Sequence, residues 1–483
     1  MCVVLEERCI VMKVDVRISE LEARLKDHDP EVRRSALKEL DAAAKQGTVQ
    51  LIPERDIVNM HCHSFYSYNA YGFSPSSLAW LAKRNGFRAC GIVDFDVLDG
   101  VDEFLEACDL LGVRGSAGME TRVFIPEFSI REINSPGEPG IFYHMGIGFT
   151  SSAVPEEVAG IASDLRERAQ ARNERILARV NAHLDPVILD YAADVLPLAP
   201  GGTPTERHMV SAYVQKATDM VDDVVSFWVE RLQIGSSEVT DLLNDTGRFQ
   251  NTVRKKLMKR GGVGYVEPGS DSFPSVEALN RLIVACGGLP CATWLDGISA
   301  GEQAMGELLE MLIGKGIVAL NIVPDRNWNI LDPALRETKV KNLYDVVGLA
   351  DDLDLPLNVG TEMNSPGQRV VDDFDAPELA PVRQAFLDGA DFVTGHTLMQ
   401  RAVSMGYQST WAQQALPTRR ARCEFYAEIG RRVPPGLTGM RLLDRVGRGR
   451  APDEILAKLS STGCFQDPIE TYAQSTGPRK VCT

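Results

Sequence analysis

The sequence predicts an α/β fold in which parallel strands alternate with helices from residue 56 onwards. The apolar runs DIVNMHC and ACGIVDF are each followed by an amphipathic segment, SPSSLAWLAKRNG and DGVDEFLEACDLLG. A further strand candidate follows at RGSAGMETRVF, and the pattern resumes through SVEALNRLIVACGGLPCATW, GIVALNIV and LPLNVGTEM. Short strands separated by helices at this pace are typical of parallel βα units.

Helical segments precede, interrupt and follow this pattern. Two helices are expected within residues 17–47, the second with Asp29 as N-cap and Pro30 in its first turn. A long stretch rich in Arg, Glu, Ala and Leu has helical spacing throughout. The predicted segments are an N-terminal helical extension (1–55), two parts of one α/β domain (56–152 and 263–398), a helical insertion (153–262), and C-terminal helices with a tail (399–483).

Composition and charge narrow the class of protein. With 483 residues and 44% hydrophobic residues, the chain can bury a large core. A formal net charge of -16 argues against a general nucleic-acid surface, although it leaves room for a local basic pocket. The ten cysteines form no CxxC pair, which favours reduced thiols. The first residues do not resemble a signal peptide, and no apolar run is long enough to span a membrane, so we expect a cytoplasmic protein.

Two of the seven histidines, His61 and His63, stand one residue apart at the end of the first predicted strand. Alternate residues of a strand point to the same face of the sheet, so both imidazoles lie on one face at the end of the strand. This geometry suits two ligands on one metal ion, since neutral imidazole binds Zn, Mn and Fe. Two histidines that only form hydrogen bonds at a strand end are the alternative that spacing alone leaves open.

Several further segments, in order, resemble the polymerase and histidinol phosphatase (PHP) family of metal-dependent phosphoesterases. They are HCHS, FSPSSLAWLAKRNGFRACGIVDFDVLDGVDEFLEA, GMETRVF and FYHMGIGF. Within the insertion, RNERILARVNAHL and ERHMVSAYV resemble segments of the nucleoside-bisphosphate phosphatase branch. The resemblance covers roughly residues 56–370. It implies a distorted seven-stranded βα barrel, made by the two α/β parts, with up to three metal ions at the carboxyl ends of its strands.

The resemblance also implies a ligand set. Positions that match family ligands are His61, His63, Glu120, His144 and Glu362. Other expected ligands fall on weak or apolar residues, namely Tyr68 or Asn69, Phe95, Thr293 and Asn364. In the family, these ligand positions are divided among three metal ions. In this sequence the first ion keeps all its donors, whereas the third ion loses them. We therefore expect one tightly bound Mn, Fe or Zn ion, at most a weak second ion, and no third.

Other residues are candidates for substrate binding or proton transfer. Arg326 and Asn327, in the segment NIVPDRNWNI, are expected to clamp an anionic group, because a guanidinium binds oxyanions in a bidentate manner. A loop held by an internal Asp325–Arg326 pair is the alternative. Asp94 is a candidate for proton transfer, whereas Asp96 suits the N-cap of the following helix. Arg207 and His208 of the insertion, and Asn364 near the mouth, are candidate substrate-binding residues.

These observations predict a metal-dependent hydrolase, most simply a phosphoesterase that acts on a small nucleotide- or sugar-phosphate-like substrate. One alternative is an enzyme with a single metal and a changed chemistry, such as another hydrolase, a sugar lyase or an isomerase. Another is a non-catalytic barrel that acts as a binding module. The expected partner is a small anionic molecule, with no nucleic acid and no membrane, and homo-oligomerisation stays open.

Overall fold

A seven-stranded sheet forms a nearly closed barrel, which confirms the predicted fold class. The computed structural model describes residues 16–269 and 271–461. Neighbouring strands follow chain order around the sheet. The strands are β1 (Arg55–Cys62), β2 (Phe87–Phe95), β3 (Arg114–Phe124), β4 (Ile141–Phe149), β5 (Leu289–Trp294), β6 (Ala319–Ile322) and β7 (Leu357–Val359).

Helices surround the barrel on its outer face. Within the described residues they are α1 (residues 16–24), α2 (Pro30–Lys45), α3 (Pro75–Arg84), α4 (Val101–Leu111), α5 (Glu156–Leu184), α6 (Glu206–Met220), α7 (Val224–Leu232), α8 (Ser236–Leu243), α9 (Thr246–Leu257), α10 (Val276–Ala285), α11 (Ala300–Gln303), α12 (Met305–Gly314), α13 (Asp325–Trp328), α14 (Pro333–Asp352), α15 (Arg383–Val403), α16 (Thr410–Ala415), α17 (Arg419–Arg432), α18 (Gly436–Gly447) and α19 (Pro452–Ser461). Short turns of other helical types cover Pro126–Phe128, Tyr191–Val195 and Leu196–Leu198.

The N-terminal helices follow the capping signals in the sequence. The Asp29 side chain accepts a hydrogen bond from the backbone N–H of Glu31, and Pro30 occupies the first turn of α2. This arrangement satisfies one of the free N–H groups at the helix start. The predicted N-cap is therefore confirmed.

One strand runs against the expected direction. Strands β1, β2 and β3 are parallel, as are β5, β6 and β7, but β4 is antiparallel to both of its neighbours. The expectation of parallel βα units is wrong for β4, because β3 and β4 are joined without a crossover helix. A bridge between Cys62 and Glu362 brings the end of β1 next to the chain that leaves β7, which nearly closes the barrel.

The segments around the barrel pack as separate layers. Helices α5 to α9 lie between β4 and α10 in the chain, where the helical insertion was expected. From Ile176 onwards the insertion has a second apolar core of its own, which includes Trp228, Tyr213 and Phe249. Helix α15 runs through residue 398 without a break and packs closely on α17. A Cβ at Gly395 would lie 1.8 Å from the carbonyl oxygen of Tyr426, so this contact requires glycine.

None of the helices within residues 16–269 and 271–461 combines the length and the apolar character that a membrane span requires.

Candidate metal centre and anion-binding cavity

Three side chains converge inside the barrel near the carboxyl ends of its strands. His61 lies on β1 and His63 directly follows it, while Glu120 comes from β3. The carboxylate atom Oε2 of Glu120 lies 3.5 Å from Nε2 of His61 and 3.5 Å from Nε2 of His63. One potential ligand atom from each residue lies within 4.8 Å of the other two, and all three residues are buried. These residues, called the metal group below, could hold a metal ion.

The buried nitrogens of the metal group lack hydrogen-bond partners. Nδ1 and Nε2 of His61 and Nε2 of His63 form no hydrogen bond with the described residues. Buried polar atoms in folded proteins are almost always partnered, and two imidazoles with one carboxylate are a common ligand set for divalent cations. On the other side of the His63 ring, Nδ1 lies 3.3 Å from Oγ of Ser67, which orients Nε2 towards Glu120. The residues present therefore fit a divalent cation.

The three residues of the metal group have shifted pKa values. Burial acts to lower the pKa of His61, but the neighbouring Glu120 and Glu362 raise it above its usual value. Burial and the neighbouring His61 hold the pKa of His63 well below its usual value, so the ring is neutral and its nitrogen is free to bind. Burial raises the pKa of Glu120, since this carboxylate has little access to water. A bound cation would reverse that effect by stabilising the ionised carboxylate.

Glu362 lies beside the metal group but is engaged elsewhere. Both carboxylate oxygens of Glu362 accept hydrogen bonds from Nη2 of Arg326 at 3.0 Å, and Gln368 donates a longer one at 3.3 Å. Burial acts to raise the pKa of Glu362, but Arg326 and the two histidines hold it at about 2. Glu362 is outside the group of three atoms that lie within 4.8 Å of one another. Arg326 thus pairs with a predicted metal ligand, and Asp325 pairs with Arg369 instead.

His144 does not join the metal group. Its Nε2 lies 2.6 Å from Oδ1 of Asn280 on α10, and the residue is fully buried. Its chain neighbour Tyr143 lines the cavity described below, and successive side chains of a strand point to opposite faces. The structure therefore directs His144 to the helical layer outside the barrel, away from the position that a second metal would need.

Asp94 anchors the loop that follows β1. Its carboxylate accepts hydrogen bonds from the backbone N–H of Ser64 at 2.7 Å, from the Ser64 hydroxyl at 2.6 Å and from the Ser67 hydroxyl at 2.7 Å. Asp94 is buried and lines no part of the cavity described below. Its geometry gives it a part in shaping the loop and no direct access to a substrate proton.

Asn69 also holds this loop in place. Its amide donates to the carbonyl oxygens of His63 and Met363, and its Oδ1 accepts from the backbone N–H of Tyr71. These bonds use the side chain fully, so Asn69 does not replace a metal ligand. Tyr68 points into the cavity instead, where its ring meets Arg207 and His208.

The end of β2 carries an aromatic ring and a carboxylate. The Phe95 ring stacks on His63 with ring centroids 4.4 Å apart, and its side chain also borders the cavity. A third metal ion at this position is disfavoured by the phenyl ring. The expected N-cap role of Asp96 is wrong: α4 begins after Gly100 without a side-chain cap, and Asp96 accepts a hydrogen bond from the Thr121 hydroxyl.

A strongly cationic cavity of about 90 Å³ lies where the insertion meets the mouth of the barrel. Asp96 and Glu206 are its two acidic residues, against five cations in a chain of net charge -16. The cations come from β3, α5, α6, α9 and the turn after α9; they are Arg122, Arg172, Arg207, Arg254 and Lys259. Such a concentration of positive charge suits an anionic ligand.

Two of these arginines have no carboxylate partner in the described part of the chain. Arg172 forms no ion pair with the described residues: its guanidinium lies 5.1 Å from the centre of the Phe273 ring, and Asp96 and Glu206 attract it only from a longer distance. Arg207 donates to the amide oxygen of Asn251 and lies 5.5 Å from the centre of the Tyr68 ring. Burial and the nearby Arg254 lower the pKa of Arg207 to about 10. Both charges are available to a bound anion.

Three further residues were predicted to bind substrate, and only one of them, Asn364, is in a position to do so without other bonds that hold the backbone. Nδ1 of His208 accepts from the backbone N–H of Thr205 and so caps α6, and burial lowers the pKa of His208 to about 4. Asn327 is buried and donates to the carbonyl oxygens of Leu295 and Val323, so its amide holds the backbone. Asn364 lines the cavity, as expected of a substrate-binding residue.

A row of polar side chains crosses the barrel interior, and sequence patterns gave no sign of it. Thr293, Asn321 and Asn358 are paired in register across β5, β6 and β7. Asn358 donates to Oδ1 of Asn321 at 3.0 Å, but Oγ1 of Thr293 and Nδ2 of Asn321 have no hydrogen-bond partner in the described residues. At Thr293, where the resemblance to the PHP family predicts a histidine ligand, the barrel has a hydroxyl and no strong metal donor.

Comparison with solved structures finds similar folds at low identity. An amidohydrolase from Chromobacterium violaceum, with bound sulfate and no metal, has a TM-score of 0.44 and 16% identity, covering 68% of this chain and 96% of that one. A proposed metal-dependent phosphoesterase from Bifidobacterium adolescentis has a TM-score of 0.42 and 18% identity, covering 69% and 98%. No family model and no curated protein matches the sequence. The resemblance to the PHP family therefore stays a prediction, which rests on the motifs quoted above.

Proposed function

We propose that the protein is a metal-dependent phosphoesterase that hydrolyses a small phosphate ester of the nucleotide- or sugar-phosphate type. The observation that carries this proposal is the position of the metal group directly behind a cationic cavity. The Phe95 ring contacts His63 on one side and borders the cavity on the other. A buried set of metal donors beside a surplus of guanidinium groups is the combination that phosphoryl transfer requires.

Different residues would bind the metal ion and neutralise the phosphoryl group. His61, His63 and Glu120 would hold the cation through the atoms that face one another at 3.5 Å. A divalent cation supplies Lewis acidity and lowers the pKa of water. With one carboxylate, the metal group would leave a bound divalent cation with a single net positive charge. The remaining charge of a phosphoryl dianion would then fall to the cavity, where Arg172 and Arg207 have no carboxylate partner among the described residues.

Phosphate release from a panel of phosphate monoesters tests this function. The assay is run on protein as purified, after a chelator, and after Mn²⁺, Fe²⁺ or Zn²⁺ is restored. We expect hydrolysis of at least one ester that is lost on chelation and regained with metal. The His63→Ala variant should stay inactive in every condition. The His183→Ala variant is the matched control, because His183 contacts a backbone carbonyl of the insertion and lines no part of the cavity.

A second candidate function is anion binding without turnover. It is favoured by one observation: His61 and His63 are completely buried, and neither they nor Glu120 borders the cavity. In that case the cavity binds phosphate compounds, but no ester of the panel is hydrolysed with any of the three metals. Bound metal together with inert phosphate esters would point instead to a single-metal enzyme of changed chemistry.

A further inference from the structure

Glu206, at the start of α6, is a meeting point for two cations of the cavity. Its Oε2 atom accepts a hydrogen bond from Nε of Arg254 at 2.9 Å and lies 2.8 Å from Nζ of Lys259. The Glu206 side chain is only 13% exposed, and all three residues line the cavity. One carboxylate therefore connects α6 with α9 and with the turn that follows α9.

Without this carboxylate the cavity would be unstable in its present shape. Arg254 and Lys259 share the cavity with Arg122, Arg172 and Arg207, and like charges at such short range repel one another strongly in a partly buried site. Glu206 places one negative charge between Arg254 and Lys259 and fixes both side chains before any ligand arrives. Fixing the cations in advance reduces the conformational entropy that their side chains would otherwise lose when an anion binds.

We propose that Glu206 is a positioning residue that holds Arg254 and Lys259 so that both bind one dianionic phosphoryl group. The inference rests on the proposed function in taking the cavity as the substrate site. Arg254 offers its remaining guanidinium N–H groups to the ligand, and Lys259 offers the rest of its ammonium protons. Glu206 itself does not touch the ligand, because its charge would repel the anion.

The surroundings of Lys259 make anion binding sensitive to pH. Burial, with the charges of Arg254 and Arg122, lowers the pKa of Lys259 to about 8, and Glu206 opposes that shift. As pH rises through this value the ammonium loses its proton, and anion affinity falls. Removing the Glu206 charge lowers the pKa of Lys259 further, so the fall moves to lower pH. The other charged or titratable groups that line the cavity are Arg172, Arg207, Asp96, Tyr68 and Tyr143.

Sulfate binding to metal-free protein, measured by calorimetry between pH 6 and pH 9.5, tests the proposal. Sulfate remains a dianion across this range, so any change in affinity belongs to the protein. We expect wild-type affinity to fall as pH rises through about 8. Glu206→Gln should weaken binding about tenfold or more and move the fall down by about one pH unit. Glu206→Asp should regain part of the affinity.

Two more variants distinguish a positioning role of Glu206 from a general loss of structure. Lys259→Arg should remove the fall at high pH, because arginine stays charged, and this result stands even if Glu206→Gln does not fold. Asp194→Asn is the control, since Asp194 pairs with Lys216 at 2.7 Å elsewhere in the insertion; it should bind like wild type. Equal sulfate binding by wild type and Glu206→Gln, or no binding by wild type, would overturn the proposal. The assay needs neither metal nor turnover, so its failure leaves the hydrolysis test intact.

Discussion

The metal group and the cationic cavity lie on either side of the Phe95 ring, yet they are built in opposite ways. The metal group comes from β1, the residue after it and β3, is closed to solvent, and presents ring nitrogens without hydrogen-bond partners in the described residues. The cavity comes mainly from the helical insertion and presents charged groups, some paired with Glu206 and some free. In the proposed function, the barrel would provide donors for a cation, and the insertion would provide charges for an anion.

The barrel and the insertion set different properties of the molecule. Strand ends in a barrel place side chains with little freedom, which suits the strict geometry of a metal site. Charged side chains that several helices contribute, some of them held by Glu206, suit a ligand bound through charge. The variants below affect one side at a time, and a clean separation of their effects would support this division.

The largest expected effect belongs to the metal side. Glu120→Gln keeps the shape of the side chain but removes the only carboxylate of the metal group. We expect bound metal to be lost and kcat/KM to fall by about 10³-fold, since a metal contributes several kcal/mol to the transition state. Metal content by mass spectrometry and steady-state kinetics give both values. Glu127→Gln, at an exposed glutamate paired with Lys315, is the control, and equal losses in both variants would contradict this assignment.

On the cavity side, Arg172→Met should weaken substrate binding and leave the metal in place. Arg172 has no carboxylate partner in the described residues, so its charge is free for the ligand. A charge-assisted hydrogen bond is worth about 1.5–3 kcal/mol, so we expect KM to rise about 10- to 100-fold. Arg175→Met, one turn further along α5 and exposed, should leave KM unchanged. Loss of metal from Arg172→Met would break the proposed separation.

A smaller effect is expected at the ion pair beside the metal group. Arg326→Met releases the Glu362 carboxylate, which lies beside the histidines of the metal group. If Glu362 then joins the metal ligands, metal affinity should rise by up to about tenfold, measured by competition with a chelator. Arg369→Met is the control, because Arg369 pairs with Asp325 and packs on Trp328 nearby. Unchanged affinity in Arg326→Met would mean that Glu362 serves Arg326 alone.

The smallest effect on function is expected from a change outside both sites. It alters stability, and it shows how stability depends on pH when neither site is involved. Burial raises the pKa of Asp372 from 3.8 to about 7, despite a hydrogen bond from Trp328. The folded protein holds this proton more tightly than the unfolded chain, so stability falls as pH rises from about 4 to about 7.

Asp372→Asn keeps the hydrogen-bond acceptor for Trp328 and removes the loss of stability that ionisation of the buried carboxyl causes. We expect its free energy of unfolding to exceed that of wild type by at least about 1 kcal/mol at pH 8, with about 4 kcal/mol as the upper limit for a shift of this size, and to match it at pH 4. Urea unfolding at the two pH values measures the difference. A variant that is less stable than wild type at pH 8 would show that the ionised carboxylate has a stabilising partner.

Much of the barrel and its metal group was predictable because the signals are local. Alternation of apolar runs and helices located the strands, and the one-residue spacing of His61 and His63 placed both on one strand face. The side on which His144 faces was not predictable from its position in a matched segment. Strand β4 is antiparallel, and its register with β3 and β5 turns Tyr143 towards the cavity and His144 towards Asn280.

The cavity could not be predicted in the same way. Its cations lie between positions 122 and 259 on different elements, and only the packing of the insertion on the barrel brings them together. Helical periodicity does not distinguish an arginine that faces a cavity from one that faces solvent. Arg122 is the exception, because it follows Glu120 by two residues on β3 and so shares its strand face.

The most direct test of the central claim is a crystal structure of the protein grown with Mn²⁺, recorded with anomalous scattering. We expect one strong anomalous peak about 2.0–2.3 Å from Nε2 of His61, Nε2 of His63 and a carboxylate oxygen of Glu120. An anomalous map with no peak among these three residues, obtained from crystals whose protein is catalytically active, would contradict the claim that this group holds the metal.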